Sequence, residues 1–260
     1  MSAELSTIID FIRYGASQFG RAGLTFGHSF DNALDESTQL VLHALHLQHD
    51  IGPAYGQAKL TTDEKQAVLA LIQRRVVERI PACYLTGNAW FASLNFKSDK
   101  RALVPRSPIA ELIESGFEPW IGDLHVQRAL DLCTGSGCIA IAMAHYNPDW
   151  QVEGVDISTE ALSLANENKQ RLYATNCEFI ESDLFKGVQG KVYDLIVTNP
   201  PYVTNDETDA LPKEYSYEPD LGLRAGVDGL DLALKILRDA PDHLSEHGLL
   251  ICEVGESEQH

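Results

Sequence analysis

Short apolar segments alternate with helical segments throughout the second half of the chain. The apolar segments have the length of strands and cover Arg128 to Cys133, Gln151 to Ile157, Cys177 to Ser182, Tyr193 to Thr198 and Gly248 to Val254. Between them, the residue patterns predict helices over 138–145, 159–172 and 229–244. A strand, a crossover helix and another strand form the pattern of parallel βαβ units. The order of these segments therefore predicts an α/β fold with a mostly parallel sheet.

The first eighty residues have a helical pattern instead. Apolar residues recur at helical spacing after Glu4, a second helical segment covers Leu40 to Leu47, and Thr61 to Glu64 forms a capping box before a third helix. Pro81 is expected to stop that third helix. We predict three parts: a small helical N-terminal domain over residues 1–85, a β-hairpin linker over 86–108 and an α/β domain over 109–260.

The predicted hairpin pairs an aromatic-rich segment with a short apolar one. Trp90 to Phe96 broadly alternates between apolar and polar residues, and the polar turn Ser98 to Lys100 follows it. Ala102 to Val104 is the predicted second strand.

The charge balance argues against a nucleic-acid partner. The chain has 20 basic and 38 acidic residues, and its net charge of -18 repels phosphate backbones and attracts cationic proteins. Such a surface is also typical of a soluble protein. We expect a soluble, cytoplasmic protein, because no apolar run reaches the roughly 18 residues of a membrane helix and the N-terminus lacks a signal-peptide pattern. The five cysteines form no CxxC pair and are interpreted as reduced core residues, with no metal site.

A tetrapeptide that follows the predicted strand Tyr193 to Thr198 indicates a functional site. Asn199-Pro200-Pro201-Tyr202 begins where the apolar residues end, and neither proline has an N–H that could continue a strand ladder. The chain therefore leaves the sheet there. It holds an amide side chain, a carbonyl group and an aromatic ring at the carboxyl end of a strand, which is where open α/β sheets bind ligands.

A glycine-rich turn and two acidic residues follow the first three predicted strands. Asp131-Leu132-Cys133-Thr134-Gly135-Ser136-Gly137 opens a helix, where backbone N–H groups can meet a carboxylate. Asp156 follows about twenty residues later, the offset at which an acid meets ribose hydroxyls in nucleotide-binding α/β folds. Asp183 lies after the third strand. Alone, the turn could be only a tight turn and Asp183 only a helix cap, but the combination favours a nucleotide-like ligand.

In this order the motifs resemble those of the class I methyltransferases, which have a Rossmann-like fold, use S-adenosyl-L-methionine and methylate planar amino or amide nitrogens. The resemblance implies that the glycine turn holds the methionine part of this cofactor, Asp156 the ribose and Asp183 the adenine. The implied cofactor-binding residues are Asp131, Cys133, Thr134, Gly135, Ser136, Gly137, Asp156, Ile157, Asp183, Leu184 and Asn199.

The tetrapeptide fits methylation of an amide nitrogen. Such a nitrogen is a weak nucleophile because its lone pair is delocalised into the carbonyl group. Oδ1 of Asn199 and the carbonyl oxygen of Pro200 can accept its two hydrogens while Tyr202 packs on the planar group, so the lone pair faces the methyl donor. Asn199, Pro200 and Tyr202 are therefore the predicted catalytic residues, and the same residues with Pro201 are the predicted substrate contacts.

A segment before the α/β part narrows the resemblance. Leu103-Val104-Pro105-Arg106-Ser107-Pro108, with a helical N-terminal domain and Glu218-Pro219, is similar to the glutamine methyltransferases that modify translation proteins. Their release-factor branch has Pro-Arg-Pro-Glu-Thr here and glycine in place of Cys133. Arg106-Ser107-Pro108 with Cys133 instead resembles the branch that acts on large-subunit ribosomal protein three. The resemblance implies substrate recognition by the N-terminal domain, substrate contact by Arg106 and that basic ribosomal protein as the partner.

Three other functions are compatible with the sequence. Methylation of a peptide release factor is the nearest, and adenine methylation in DNA shares the tetrapeptide but conflicts with the acidic charge. The third is a non-enzymatic assembly module that binds the cofactor without turnover.

The C-terminal part of the sequence is the reason to consider a non-enzymatic module. The sheet of the family has seven strands, whereas only five can be counted before His260, so the last two are expected to be missing. Leu249 to Val254 would then be an exposed apolar edge strand.

Overall fold

The structure, a computed structural model, describes residues 4–28, 30–226 and 229–255. These residues group into two compact units. The first contains the chain up to Asn88 together with Pro212–Tyr217, and the second contains Ala89–Leu211 and the chain from Glu218. Within the described ranges, no helix combines the length and the hydropathy that a membrane crossing requires. The predicted domain boundaries and the recognition role of the N-terminal domain remain predictions.

Helices form the first unit around apolar side chains such as Phe11, Phe19 and Leu40, which are fully buried. The helices are α1 (Ile8–Arg21), α2 (Ala33–Ala44), α3 (Thr62–Glu78) and α4 (Ala82–Thr86), with a 3-10 turn at Pro53–Gln57.

The predicted capping box starts α3. The hydroxyl of Thr61 accepts from the N–H of Glu64, and the Glu64 carboxylate accepts from the N–H of Thr61. This prediction is confirmed. The helix ends at Glu78 because Arg79 adopts a left-handed conformation with a φ of 64°. Pro81 therefore lies beyond the end of α3, and it precedes α4, which the sequence pattern does not predict.

The β-hairpin differs from the predicted one. Strand β1 (Asn88–Phe91) pairs with β2 (Leu94–Lys97), and the turn lies at Ala92 and Ser93. Both turn residues have positive φ angles, 45° and 59°, as a two-residue type I′ turn requires. The predicted pairing with residues 102–104 is wrong because the chain reverses inside the segment that was expected to form one strand. Alanine and serine carry no sequence signal for this turn.

A five-stranded sheet forms the centre of the second unit. Its strands are β3 (Arg128–Leu132), β4 (Gln151–Asp156), β5 (Cys177–Glu181), β6 (Tyr193–Thr198) and β7 (Leu244–Cys252). Their order is β5-β4-β3-β6-β7, and every neighbouring pair is parallel. The predicted α/β fold with a parallel sheet is confirmed. The first four strands end at the predicted residue or one residue before it.

Helices lie before β3 and between the later strands, except that a 3-10 turn at Leu184–Val188 connects β5 to β6. They are α5 (Ile109–Glu114), α6 (Cys138–Tyr146), α7 (Thr159–Arg171), α8 (Asn205–Ala210), α9 (Asp220–Leu223) and α10 (Asp231–Asp239). The helix predicted over 229–244 is shorter, and a 3-10 turn at Ala240–His243 follows it. Pro241 explains the difference, because its ring clashes with the preceding turn of an α-helix. Strand β7 starts at Leu244, four residues earlier than predicted, and is an edge strand of the described sheet.

The strand order reverses next to β3. The chain moves from β3 to β4 and β5 on one side and then returns to β6 on the other side of β3. The carboxyl ends of parallel strands lie at one edge of a sheet, and ligands bind in the crevice where the order reverses. The residues that follow β3, β4 and β6 therefore meet at this edge.

Candidate active site

Hydrogen bonds hold the end of β6 from both sides. The hydroxyl of Thr198 donates to the carbonyl oxygen of Leu132, at the end of β3, over 2.9 Å. The N–H of Glu253, just beyond β7, donates to the carbonyl oxygen of Thr198 over 2.9 Å. Asn199 therefore leaves a strand end that is anchored to both neighbouring strands.

The tetrapeptide places an amide and an aromatic ring at this anchored end. Asn199 is partly buried, and its side-chain amide makes no hydrogen bond with any described residue. Pro200 is buried, whereas Pro201 and Tyr202 are partly buried. The Tyr202 hydroxyl donates to Oε1 of Glu253 over 3.1 Å. The Asn199 amide thus keeps its hydrogen-bonding capacity for a ligand, while the ring of Tyr202 is held at its hydroxyl end.

Asp131 shapes the glycine turn from inside the protein. Its Oδ2 accepts from the hydroxyl of Thr134 over 2.5 Å and from the N–H of Ala140, in α6, over 3.1 Å. Its Oδ1 has no hydrogen-bond partner among the described residues. Burial raises the pKa of Asp131 to about 7, although the two donated hydrogen bonds oppose that shift. The side chain therefore ties the turn to the first residues of α6 and retains one unpaired acceptor.

Asp156 connects the same turn to the end of β4. Its Oδ2 accepts from the N–H of Gly135 over 2.8 Å, and its Oδ1 accepts from the N–H of Ser158 over 2.9 Å. Burial raises the pKa of Asp156, and these backbone hydrogen bonds partly offset the shift. Each carboxylate oxygen has a second lone pair, so the group can still accept a hydroxyl from a ligand.

The second glycine of the turn is required by its surroundings. Gly137 has a φ of 79°, and a Cβ atom there would lie 2.7 Å from Cζ of Phe179 and 3.0 Å from Cβ of Ala165. Gly154 in β4, which lies outside the predicted motifs, is equally confined, because its Cβ would lie 2.8 Å from Oγ1 of Thr134. Glycine in the middle of a strand is a sign of close backbone approach, so this signal was present in the sequence.

Cys133 begins the turn in a left-handed conformation, with a φ of 58°. Such a conformation disfavours residues with a Cβ, and β-branched residues most. We expect Cys133→Gly to change the free energy of unfolding by less than about 1 kcal/mol, because relief of strain offsets the greater freedom of the unfolded chain. Cys133→Val should lower it by about 1–3 kcal/mol. Urea denaturation measures both, and a valine variant as stable as the parent would contradict the conformational explanation.

The predicted adenine and ribose contacts differ in their exposure. Ile157 follows Asp156 and is 54% exposed, unusual for an isoleucine beside a strand end. Asp183 pairs with Lys186 over 2.5 Å and with Lys235 over 3.6 Å, and the Lys186 ammonium lowers its pKa. Leu184 has a φ of 51° and is buried. A ligand that reaches Asp183 must therefore compete with two surface lysines.

The side chain of Arg106 is engaged within the second unit. Its Nη1 and Nη2 donate to the two carboxylate oxygens of Glu218 over 2.5 and 2.7 Å, and Oε1 of Glu218 also accepts from the N–H of Val104. This bidentate ion pair fastens the Pro-Arg segment to Glu218. The ion pair gives both Arg106 and Glu218 a structural role. Direct substrate contact by Arg106 stays a prediction.

The contacts of two residues in this region could not be predicted from the sequence. Nδ2 of Asn168, in α7, donates to the carbonyl oxygen of Ser136 over 3.0 Å and so holds the glycine turn to α7. Glu253 accepts from the hydroxyls of Ser107 and Tyr202. An acid near the end of the last predicted apolar strand was the available signal for Glu253.

Comparisons with known proteins agree with this arrangement. A family model described as the methyltransferase small domain matches residues 118–213. The ribosomal protein uL3 glutamine methyltransferase of Xanthomonas campestris pv. campestris is 77% identical over 257 residues, which cover 99% of this chain and 83% of the relative. The chain belongs to the uL3 glutamine methyltransferase family. Relatives of the same name from Xylella fastidiosa (strain Temecula1) and Neisseria gonorrhoeae are 73% and 49% identical, cover 98% of this chain, and are themselves covered to 82% and 85%.

Family membership identifies the chain as a methyltransferase and confirms the resemblance found in the sequence. The region that matches the methyltransferase small domain includes the glycine turn, Asp156, Asp183 and the tetrapeptide. Arg106 and Glu253 lie outside it. In this member of the uL3 glutamine methyltransferases, the contacts of those two residues are therefore known from the structure alone.

Proposed function

We propose that this protein transfers a methyl group from S-adenosyl-L-methionine to the side-chain amide nitrogen of a glutamine in ribosomal protein uL3. The observation that carries the proposal is the Asn199 amide, which makes no hydrogen bond within the described chain and lies at a strand end anchored on both sides. The names of the relatives support the choice of substrate.

The residues at the strand ends fit this cofactor. Asp156 has free lone pairs for ribose hydroxyls, Ile157 offers an exposed apolar side chain for the adenine ring, and Oδ1 of Asp131 is an unpaired acceptor. The turn from Cys133 to Gly137 would hold the methionine part, and Asp183 with Leu184 would contact the adenine. When bound, the cofactor supplies an electrophilic methyl group on a sulfonium sulfur.

The tetrapeptide would orient the substrate amide. Oδ1 of Asn199 and the carbonyl oxygen of Pro200 accept the two N–H hydrogens, and the ring of Tyr202 packs against the planar group. These acceptors favour positive charge on the nitrogen as its bond to the methyl group forms. As this bond forms, the carbon–sulfur bond of the methyl donor would break and leave its electron pair on the sulfur. The nitrogen would then lose one proton to solvent, so no strong base is needed to start the reaction.

The charge of the chain fits a basic protein substrate. A net charge of -18 attracts a cationic protein and repels nucleic acid, so we propose that recognition involves protein and not base readout. Because the proposed substrate is a ribosomal protein, we place the reaction in the cytoplasm.

Intact-mass spectrometry tests the proposed substrate. Purified uL3 incubated with the enzyme and S-adenosyl-L-methionine should gain one methyl group, and fragmentation should place it on a glutamine side chain. A release factor incubated in parallel should stay unmodified. Methylation of the release factor with unmodified uL3 would reject the proposal.

Asp156→Ala should weaken cofactor binding by about 10- to 100-fold, because a hydroxyl bound to a buried charged group loses its partner. Turnover at saturating cofactor should fall much less, since Asp156 lies outside the tetrapeptide. Calorimetric titration with S-adenosyl-L-methionine measures the affinity. Asp149→Ala is the matched control, because Asp149 is exposed just before the other end of β4. Equal affinities of the Asp156 and Asp149 variants would contradict the assigned role.

A further inference from the structure

Glu253 joins two segments that are far apart in the sequence. Its backbone N–H is bonded to Thr198, so it is fixed beside the end of β6. Its Oε1 accepts from the Tyr202 hydroxyl over 3.1 Å, and its Oε2 accepts from the Ser107 hydroxyl. Oγ of Ser107 in turn accepts from the N–H of Ile109 over 3.1 Å, which holds the serine at the start of α5.

Two hydroxyl donors and a nearby guanidinium partly offset the cost of burying the Glu253 carboxylate. Burial raises the pKa of Glu253, while the hydrogen bonds from Ser107 and Tyr202 and the nearby Arg106 guanidinium lower it. In the ionised form of Glu253, these hydrogen bonds are roughly twice as strong as neutral ones. The carboxylate therefore restrains the hydroxyl of Tyr202 and keeps the ring in one orientation.

The hydrogen bond between Glu253 and Tyr202 connects Glu253 to the tetrapeptide. A residue whose only role was to end β7 would not need this hydrogen bond. The ring of Tyr202 is attached at one end to its own backbone, which follows Pro201, and its hydroxyl at the other end is held by Glu253. Glu253 is held in turn by Ser107 and by the backbone of Thr198. Three separate segments thus determine the position of one aromatic ring.

We infer that Glu253 is a positioning residue for methyl transfer, which holds the Tyr202 ring against the substrate amide and is itself held in place by Ser107. The inference rests on the proposed function of the tetrapeptide. Glu253 acts through Tyr202 and needs no contact with the substrate or the cofactor. Because a misplacement of about 1 Å at an active site can lower the rate about 10²-fold, loss of this restraint should reduce turnover strongly.

A double-mutant cycle in kcat tests the inference. Glu253→Ala should lower kcat about 10²-fold and leave the calorimetric affinity for S-adenosyl-L-methionine within about twofold. Tyr202→Phe should cost about tenfold in the parent enzyme, because its hydrogen bond to a charged group is lost. In the Glu253→Ala background, Tyr202→Phe should lower kcat less than about twofold, since Glu253 is no longer there to accept the Tyr202 hydroxyl.

Two further variants separate positioning from stability. Glu253→Gln keeps the side-chain shape and one carbonyl acceptor, so it should retain more activity than Glu253→Ala. Glu246→Ala is the matched control, because Glu246 is exposed on β7 and should behave like the parent. If Glu253→Ala is not recovered folded, the same cycle is measured with Ser107→Ala and Tyr202→Phe, which should be coupled through Glu253.

The outcomes distinguish the inference from the proposed function. Failure of the parent enzyme to methylate uL3 would reject the proposed function. With an active parent, the inference is overturned by a kcat of Glu253→Ala within about threefold of the parent. Equal costs of Tyr202→Phe in both backgrounds, or additive effects of Ser107→Ala and Tyr202→Phe, would also overturn it.

Discussion

Asn199→Ala is expected to lower kcat on uL3 about 10²- to 10³-fold, the typical effect of removing one preorganised polar group that acts on the reacting atoms. The loss follows because Oδ1 of Asn199 is a proposed acceptor for the substrate N–H and makes no hydrogen bond within the described chain. Without it, the amide is less well oriented, and charge that builds up on its nitrogen is less well stabilised.

The affinity for S-adenosyl-L-methionine should change much less, because the acidic residues at the other strand ends remain. Single-turnover kinetics with saturating cofactor and calorimetry separate the two effects. Asn205→Ala is the matched control, since Asn205 is exposed in the nearby helix α8. An Asn199→Ala enzyme with a kcat within about threefold of the parent would show that the tetrapeptide acts in another way.

Arg75→Met should lower the free energy of unfolding of the first unit by about 3–5 kcal/mol, the usual cost of breaking a buried ion pair from one side. Arg75 is 0% exposed. Its Nε donates to Oε1 of Glu36 over 2.6 Å, its Nη2 donates to the carbonyl oxygen of Thr25 over 2.9 Å, and its Nη1 lies 3.6 Å from Oε1 of Glu214. The substitution would leave Glu36 and Glu214 buried with fewer cationic partners.

Methionine has a similar apolar length, so the loss would report mainly on charge. Arg74→Met is the control on the preceding residue, because its ion pair with Glu78 is solvent-exposed and should contribute at most about 1 kcal/mol. Denaturant unfolding followed by circular dichroism measures both. Equal stabilities of the Arg75 and Arg74 variants would contradict a structural role for the buried pair.

Local sequence patterns predicted much of the fold. The strand ends at the glycine turn, at Asp156 and at the tetrapeptide follow from runs of apolar residues that end at glycine, acid or proline, and each of these signals acts within a few residues. The hairpin could not be placed in the same way. Its turn depends on positive φ angles at Ala92 and Ser93, two residues that seldom adopt them.

By itself, the sequence determined the α/β class, the order of the motifs and the family, because these depend on residue type and spacing along the chain. Tertiary structure alone decided what Arg106 and Glu253 contact. Arg106 pairs with Glu218, and Glu253 connects Ser107 to Tyr202. Glu253 and Tyr202 meet because β7 lies beside β6, so the residues that follow the two strands reach the same edge of the sheet. Proximity between segments that are distant along the chain leaves no pattern in the local sequence.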